Sequence, residues 1–464
     1  MTFYVLKIPS RRVIAVSAVV IILIVVISAT VGIWLFRTAQ GPARRKSYQG
    51  YKLIRVTPRT DFQLRYLYAL HDSQDHQKLD FWILPSNTGM PVDILVPPNL
   101  LEDIQKEMKI RGLQITVLIE DMHKRLKTSE GGDQKESNSA VYDDDGFSFA
   151  AYHSYAEITS YLQELQHNYP YLVKVGSIGT SVEGRKLDVI QIGNYSDDAR
   201  PHRVVWIDAG IHAREWISTA TALYVIDRLI SEWFLDQKFV EQPAPFQQFD
   251  WYIMPLVNPD GYEFSIHEDR LWRKNRNPNS WSIWGCKGVD LNRNFDYAYG
   301  GVSSSNHPCS EQYRGKEVFS EPETRSIRDF ILHKKDMIVA YLTLHSYGQF
   351  WGYPWGDRKN HYPVNAENLE YVAKKAVDAI LNVSEYDFKT GSVADRFYAA
   401  GGCSDDWAKS VPQIPYVFMI ELPPCQRCSP GFLLPESEIL KSGHAFWTGL
   451  KAAVKEIASL EQSN

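Results

Sequence analysis

Three short apolar, β-branched runs lead straight into residues that can bind a metal or move a proton: 203–209 (RVVWIDA), 337–344 (MIVAYLTL) and 415–420 (PYVFMI). Runs of this length and composition read as fully buried strands. Residues 216–233, downstream of the first run, carry apolar residues at helical spacing, so His212 falls on a loop between a strand and a helix. His345 comes immediately after the second run, and Glu421 ends the third. Buried strands alternating with helices make an α/β sheet, and such sheets bind ligands at the carboxyl ends of their strands. A chance scatter of polar residues would not choose that edge three times.

The residue types at that edge suit a metal. His212 and Glu215 stand three apart where the loop enters the helix, so both side chains can face one point. His345 arrives from far along the chain. Two imidazoles and one carboxylate make a three-ligand set that leaves the fourth position of a zinc ion open, as catalytic sites do and structural zinc fingers do not. An H-x-x-E pair alone is commonly a surface feature of a helix; its place at the strand edge is what raises this one.

At 464 residues the chain is long enough for two domains and an anchor. A net charge of −5 and the lack of a basic stripe argue against a nucleic-acid partner. After a short tail (1–12), residues 13–36 form 24 uncharged, largely apolar residues, enough to cross a bilayer. Lys7, Arg11 and Arg12 precede this segment, and Arg37, Arg44, Arg45 and Lys46 follow it, so flanking charge barely decides orientation. Residues 13–36 are therefore a transmembrane signal anchor or a long signal peptide. Either way the bulk of the chain is extracellular or lumenal, membrane-anchored as a type II protein or secreted. Sequons at Asn194 and Asn382 agree with a glycoprotein. All five cysteines (Cys286, Cys309, Cys403, Cys425, Cys428) lie in the second half, and the odd count leaves one thiol over. The C-x-x-C at 425–428 lacks the strand–helix context of a redox motif.

Strand-like segments at 51–56, 79–84, 91–96 and 115–119 and helical ones at 60–73 and 98–111 predict a compact α+β domain over residues 48–123. Residues 124–148 are almost devoid of apolar side chains after position 127 and read as a cleavable linker, with Lys124, Arg125, Lys127 and Lys135 open to a trypsin-like protease. From 149 to 455 long helices alternate with buried strands.

Several motifs then fall in one order: 149–157 (FAAYHSYAE), 212–216 (HAREW), 270–274 (RLWRK), 289–296 (VDLNRNFD), 345–349 (HSYGQ), 398–407 (YAAGGCSDDW), and Glu421 with 431–435 (GFLLP). Together they resemble the zinc metallocarboxypeptidases of the pancreatic A/B type, and 48–123 resembles the activation peptide of their zymogens. The resemblance implies an α/β fold: a mixed eight-stranded sheet sandwiched between helices, preceded by a small α+β activation domain and the N-terminal hydrophobic segment. It implies a monomeric zymogen with one Zn2+ per chain, acting on peptide or protein C-termini by zinc-activated water attack after an activating trypsin-like protease has cut it.

Residue by residue, His212, Glu215 and His345 match the zinc ligands, Glu421 the general base, and Arg273 the group that steadies the oxyanion. Asn292 and Arg293 match the pair that grips the substrate's terminal carboxylate, a role that suits a guanidinium fork. Arg214 and Tyr347 match residues contacting substrate further from the cut, and Tyr398 a mobile tyrosine that closes over the bound residue. Asp405 falls where B-type enzymes place an acid for a basic C-terminal side chain, with Gly356 and Val393 at other pocket positions. Lys or Arg is therefore the expected C-terminal residue. The alternatives are A-like specificity for apolar residues, or a non-catalytic peptide-binding relative. Met419 departs from the usual small polar residue and bears on that choice, and the segment 423–428 departs from the usual charged turn. The resemblance pairs Cys286 with Cys309, and it leaves Cys403 free to bond Cys425 or Cys428 across the pocket rim.

Overall fold

A four-stranded antiparallel sheet forms first, from β1 (Lys52–Val56), β2 (Asp80–Ile83), β3 (Val92–Val96) and β4 (Ile115–Ile119), in the order β2-β3-β1-β4. Its two faces divide by strand periodicity. Ile54, Val56, Ile94 and Val96 pack under α1 (Asp61–Asp72) and α2 (Leu101–Ile110) through Leu67, Leu70, Ile104 and Met108. Thr60 caps α1 by accepting a hydrogen bond from the Gln63 N–H. The alternate residues Leu53, Leu95 and Ile119 face the other way and pack with Leu271, Tyr347 and Phe432 of the larger sheet's domain.

The computed structural model describes residues 45–73, 79–132, 146–193, 203–236, 244–279, 282–283, 285–428 and 431–462. The apolar segment 13–36, Lys135 and the sequon at Asn194 lie outside the described residues. Among those described, no helix is long and apolar enough to cross a membrane. Asn382 is exposed near the end of a helix.

The expected linker begins as helix: α3 spans Met122–Gly132. Asp121 accepts a hydrogen bond from the Lys124 N–H at its start, and Met122 and Leu126, four apart, bury one side of it. The polar composition hid this one-sided helix. Lys124, Arg125 and Lys127 therefore sit on a helix and not on an extended cleavable strand.

The second sheet contains β5 (Val173–Thr180), β6 (Lys186–Ile192), β7 (Val204–Ala209), β8 (Asp250–Met254), β9 (Ile338–Gly348), β10 (Phe350–Tyr353), β11 (Lys389–Ser392) and β12 (Tyr416–Cys425). The order is β11-β10-β12-β9-β7-β8-β6-β5. β12, β9, β7 and β8 run parallel at its centre, and antiparallel partners flank them. The helices are α4 (Tyr155–Asn168), α5 (Trp216–Asp236), α6 (Pro259–His267), α7 (Pro322–Lys334), α8 (Ala366–Val383), α9 (Val393–Arg396), α10 (Ser404–Ser410) and α11 (Ile439–Gln462).

Both sheet faces are covered. Val205 and Ile207 share a core with residues of α4, α5, α8 and α11, while Val204 and Trp206 share another with residues of α7 and α10. That double burial is why the central strands read as continuous apolar runs. The fully buried residues of both cores all come after the expected linker, so this part of the chain carries its own interior.

Two strands run further than their apolar runs. β9 continues through His345 to Gly348, and β12 through Glu421 to Cys425, because paired backbone extends beyond the point where side chains turn polar. Cys286 and Cys309 are bonded, as the resemblance implies. Cys403 is not bonded to the C-x-x-C pair: Cys425 and Cys428 are joined to each other, and Cys403 is a buried free thiol 3.6 Å from Arg293 Nη1.

Candidate active site

β7 hands the chain to Gly210, whose φ of +65° and close neighbours admit no side chain; a Cβ there would lie 2.6 Å from Thr219 Oγ1. This turn delivers His212, and Glu215 follows at the mouth of α5. His345 approaches from β9. His212 Nδ1 lies 2.7 Å from Glu215 Oε1, His345 Nδ1 lies 3.2 Å from Glu215 Oε2, and the two Nδ1 atoms are 3.3 Å apart. All three side chains are buried, and their donor atoms lie within 4.8 Å of one another. Two imidazoles and one carboxylate crowded around a point are a nitrogen–oxygen donor set that fits zinc and leaves room for a fourth ligand. Burial alone would raise the Glu215 carboxyl, yet the two histidines hold it well below the usual carboxylate range.

Behind the trio stand acids the sequence reading did not assign. His212 Nε2 meets Asp290 Oδ1 at 3.2 Å, and the other oxygen of Asp290 accepts from Arg273 Nε (3.1 Å) and Nη2 (2.9 Å). Asp290 is fully buried, which opposes ionisation, but Arg273 and Arg293 keep its carboxyl well below its ordinary value. His345 Nε2 lies 3.4 Å from Thr343 Oγ1, which donates to Asp208 Oδ1 at 2.7 Å. Carboxylates behind metal-binding imidazoles orient the rings and strengthen them as ligands. The signal was present in the sequence: an acid inside an otherwise apolar strand run, as Asp208 is, needs a buried partner.

Strand register places Glu421. β12 pairs with β9 so that Glu421 lies opposite His345, one strand along from the trio. The Glu421 carboxyl is buried, and its Oε2 has no hydrogen-bond partner. Burial and the neighbouring Glu215 push it well above the usual carboxylate range, and Arg273 pulls the other way. Arg273 Nη1 itself reaches to 3.8 Å from Glu215 Oε1.

Glu421 also lines a small cavity together with Asn292, His345, Val393, Asp405 and Met419. Gly356 and Tyr398 contribute to its wall as well. Two acids open α10, and their side chains part. Asp406 accepts from the Gly356 N–H at 2.8 and 3.0 Å, while Asp405, 2% exposed, faces the cavity. Burial raises the Asp405 carboxyl, and His345 and Arg293 oppose that shift. At the cavity's far wall Asn292 Oδ1 accepts from the Ser404 N–H (2.9 Å). Arg293 is anchored through Nε to Ser303 O (2.8 Å) and through Nη1 to Asn292 O (2.7 Å). Its buried Nη2 has no well-formed hydrogen bond, although the Tyr398 phenol lies near enough to favour the cation. Burial raises the Tyr398 phenol to about 12.

Arg214 and Tyr347 do not line that cavity. The four-stranded domain holds both: Arg214 Nη1 donates to Asp80 Oδ2 at 2.6 Å, and the Tyr347 hydroxyl donates to Asp93 Oδ2 at 3.5 Å. Arg214 also lies over the Phe432 ring at 4.2 Å, and Trp82 packs edge-on against the same ring at 5.0 Å. Asp80, Trp82 and Asp93 read in sequence only as members of strands.

Comparison with known proteins agrees with this geometry. Residues 158–449 match the zinc carboxypeptidase family model, and residues 54–128 match the carboxypeptidase activation peptide. Carboxypeptidase A4 of Mus musculus is 34% identical over 417 residues, spanning 90% of this chain and 96% of that protein. Carboxypeptidase B of Astacus astacus is 40% identical over 307 residues, spanning 65% of this chain and 96% of that protein. The crystal structure of carboxypeptidase A from Helicoverpa armigera superposes with a TM-score of 0.81 at 30% identity, covering 89% of this chain and 99% of that one. A buried two-histidine, one-glutamate donor set on a mixed eight-stranded sheet, with both family regions in their order along the chain, makes this protein a member of the zinc carboxypeptidase family that carries its activation peptide.

Proposed function

We propose that this zinc carboxypeptidase zymogen, once cut, releases C-terminal lysine and arginine. The observation that carries the specificity is Asp405, a buried carboxyl lining the same cavity as Glu421 while its neighbour Asp406 is engaged by the Gly356 backbone. A buried acid pairs with an ammonium or guanidinium and leaves an apolar side chain facing an unpaired polar group.

His212, Glu215 and His345 would hold a zinc ion, which when bound would supply a Lewis acid for the scissile carbonyl and the attacking water. Glu421, with Oε2 unpartnered, takes the proton from the attacking water and passes it to the departing amine. Arg273, fixed by Asp290, offers its Nη1 to the oxygen that gains charge. Arg293 Nη2 and Asn292 bind the free carboxylate of the last residue, so that only the final peptide bond registers against the catalytic groups. Tyr398 closes over that residue. In the uncut chain Asp80 and Asp93 occupy Arg214 and Tyr347, which bind the peptide further from the cut in the released enzyme.

The cut by a trypsin-like protease falls at Lys135, since Lys124, Arg125 and Lys127 lie on α3. Two disulfides support an extracellular or lumenal place for the folded part, with residues 13–36 serving as anchor or as cleaved signal peptide. Met419 and Val393, which line the same cavity, favour a second reading with apolar C-terminal specificity. Hydrolysis of matched peptides ending in Arg, Lys, Leu, Phe or Glu by the trypsin-processed protein, with and without a chelator, separates the two. The basic reading requires Arg and Lys to lead, and a lead by Leu or Phe would replace it with the apolar one.

A further inference from the structure

Arg55 of the activation domain is presented as a ligand. Asp93 holds it through two parallel hydrogen bonds, Nε to Oδ1 and Nη2 to Oδ2, both 2.7 Å. Its outer edge then crosses to the catalytic domain, where Nη1 donates to Arg427 O and Nη2 to Gln426 O, each at 2.8 Å. Two consecutive carbonyls thus converge on one guanidinium. They lie in the loop closed by the Cys425–Cys428 disulfide, so the acceptor pair is held in shape without its ligand. The loop forms one end of a groove that also contains Glu385, Asp387 and Glu438. Lys389 pairs with Asp387 and Lys441 with Glu438 at 2.8 Å, while the Arg427 residue is itself exposed. Gly348 and Gln349, next in sequence to Tyr347, form part of the same groove.

Release of the activation domain removes Arg55 and leaves the two carbonyls open. We infer that Gln426 O and Arg427 O form a subsite for an arginine or lysine side chain of the substrate, upstream of the scissile bond, which Arg55 fills in the zymogen. Distance sets the position. Glu421 pairs with His345 and Cys425 with Gly348, three residues further along β9 or about 10 Å at the rise of a strand, and Gln426 and Arg427 follow one and two residues beyond. An extended peptide covers that distance in about four residues. Because Gln426 and Arg427 are partly open to water, the carbonyls are hydrated when empty, and the gain is moderate.

The inference rests on the peptide-hydrolase reading, and its test keeps the two apart. The trypsin-processed, zinc-loaded enzyme is assayed on hexapeptides with a fixed C-terminal residue and arginine, its neutral isostere citrulline, or alanine at the third, fourth or fifth residue before the scissile bond. A short blocked dipeptide serves as the reference. Arginine near the fourth position should raise kcat/KM about tenfold over citrulline, through KM, as two hydrogen bonds from a cation to half-hydrated carbonyls would do. Replacing both loop cysteines (Cys425→Ser with Cys428→Ser) should bring the arginine-to-citrulline ratio close to one. Equal kcat/KM for the three peptides at every position, or an undiminished ratio in the double variant, would overturn the subsite while leaving the peptidase reading intact. No cleavage of any peptide or of the dipeptide would overturn both.

Discussion

Arg214 donates to Asp80 at 2.6 Å across the boundary between the two sheets' domains, with Arg214 1% exposed. This contact occupies a residue assigned to peptide binding. Breaking a buried ion pair by removing one partner typically costs about 3–5 kcal/mol. Here that loss falls on the docking of the activation domain. Asp80→Ala should therefore raise the activity of the uncut protein on a small peptide at least tenfold and speed its activation by trypsin. Unchanged activity of the uncut variant would remove Asp80 from the inhibitory contact.

The roles proposed for Glu421 and the trio are separable by experiment. Glu421→Gln should keep zinc at one ion per chain, measured by elemental analysis, and lower kcat by about 10²–10⁴-fold, the usual worth of a general acid–base group. His345→Ala should lose the metal. Asp290→Ala should retain the fold but bind zinc about 10–100-fold more weakly, because it orients His212 from behind. A Glu421→Gln enzyme as active as its parent would end the proposed mechanism.

Asp405 should set the preference for a basic last residue. Solvent in the pocket of the cut enzyme should keep the difference between paired and stranded carboxyl below the fully buried value, at about 2 kcal/mol or 30-fold in the Arg-to-Leu ratio. Asp405→Ala should lower cleavage after peptides ending in Arg or Lys while sparing those ending in Leu. If the ratio does not change, the carboxyl plays no part in selection.

The strand ends were legible because a buried parallel strand is apolar on both faces, and the first polar residue after it marks the sheet's ligand-binding edge. That logic placed His212, His345 and Glu421 correctly, though strand pairing runs past the last two. The small domain's four strands and first two helices also fell within the segments read for them. Long-range pairing was not legible. Asp290 lies inside the 289–296 motif, but its partners His212 and Arg273 come from other loops. Asp80 meets Arg214 across 134 residues of chain. Cysteine spacing left Cys403 undecided between a thiol and a bridge, and only the fold brings it against Arg293 and away from Cys425. The helix α3 was hidden because, among its described side chains, only Met122 and Leu126 are buried.

A second acid outside the site makes stability depend on pH. Glu323 is buried, and burial with the nearby Glu321 raises its carboxyl from an ordinary 4.5 to about 8. The folded protein therefore keeps this proton where the unfolded chain has released it. The sign follows: the contribution is fully present below about 4.5 and is lost as pH climbs through about 8. Thermal unfolding followed from pH 6 to 9 should show Tm falling, and Glu323→Gln, which still offers an oxygen to the Val182 N–H, should flatten that fall. An identical slope in the variant would assign the pH dependence to other groups.

Zinc and the carboxylate anchor are proposed to act together on the last peptide bond. The most direct measurement is release of the C-terminal residue by the trypsin-processed protein from two peptides differing only in a free or amidated C-terminus, before zinc removal, after it, and after zinc is restored. Rapid release from the free peptide alone, loss of that release on chelation and recovery with zinc are expected. Equal cleavage of the amidated peptide, or activity that survives complete removal of the metal, would contradict that joint action.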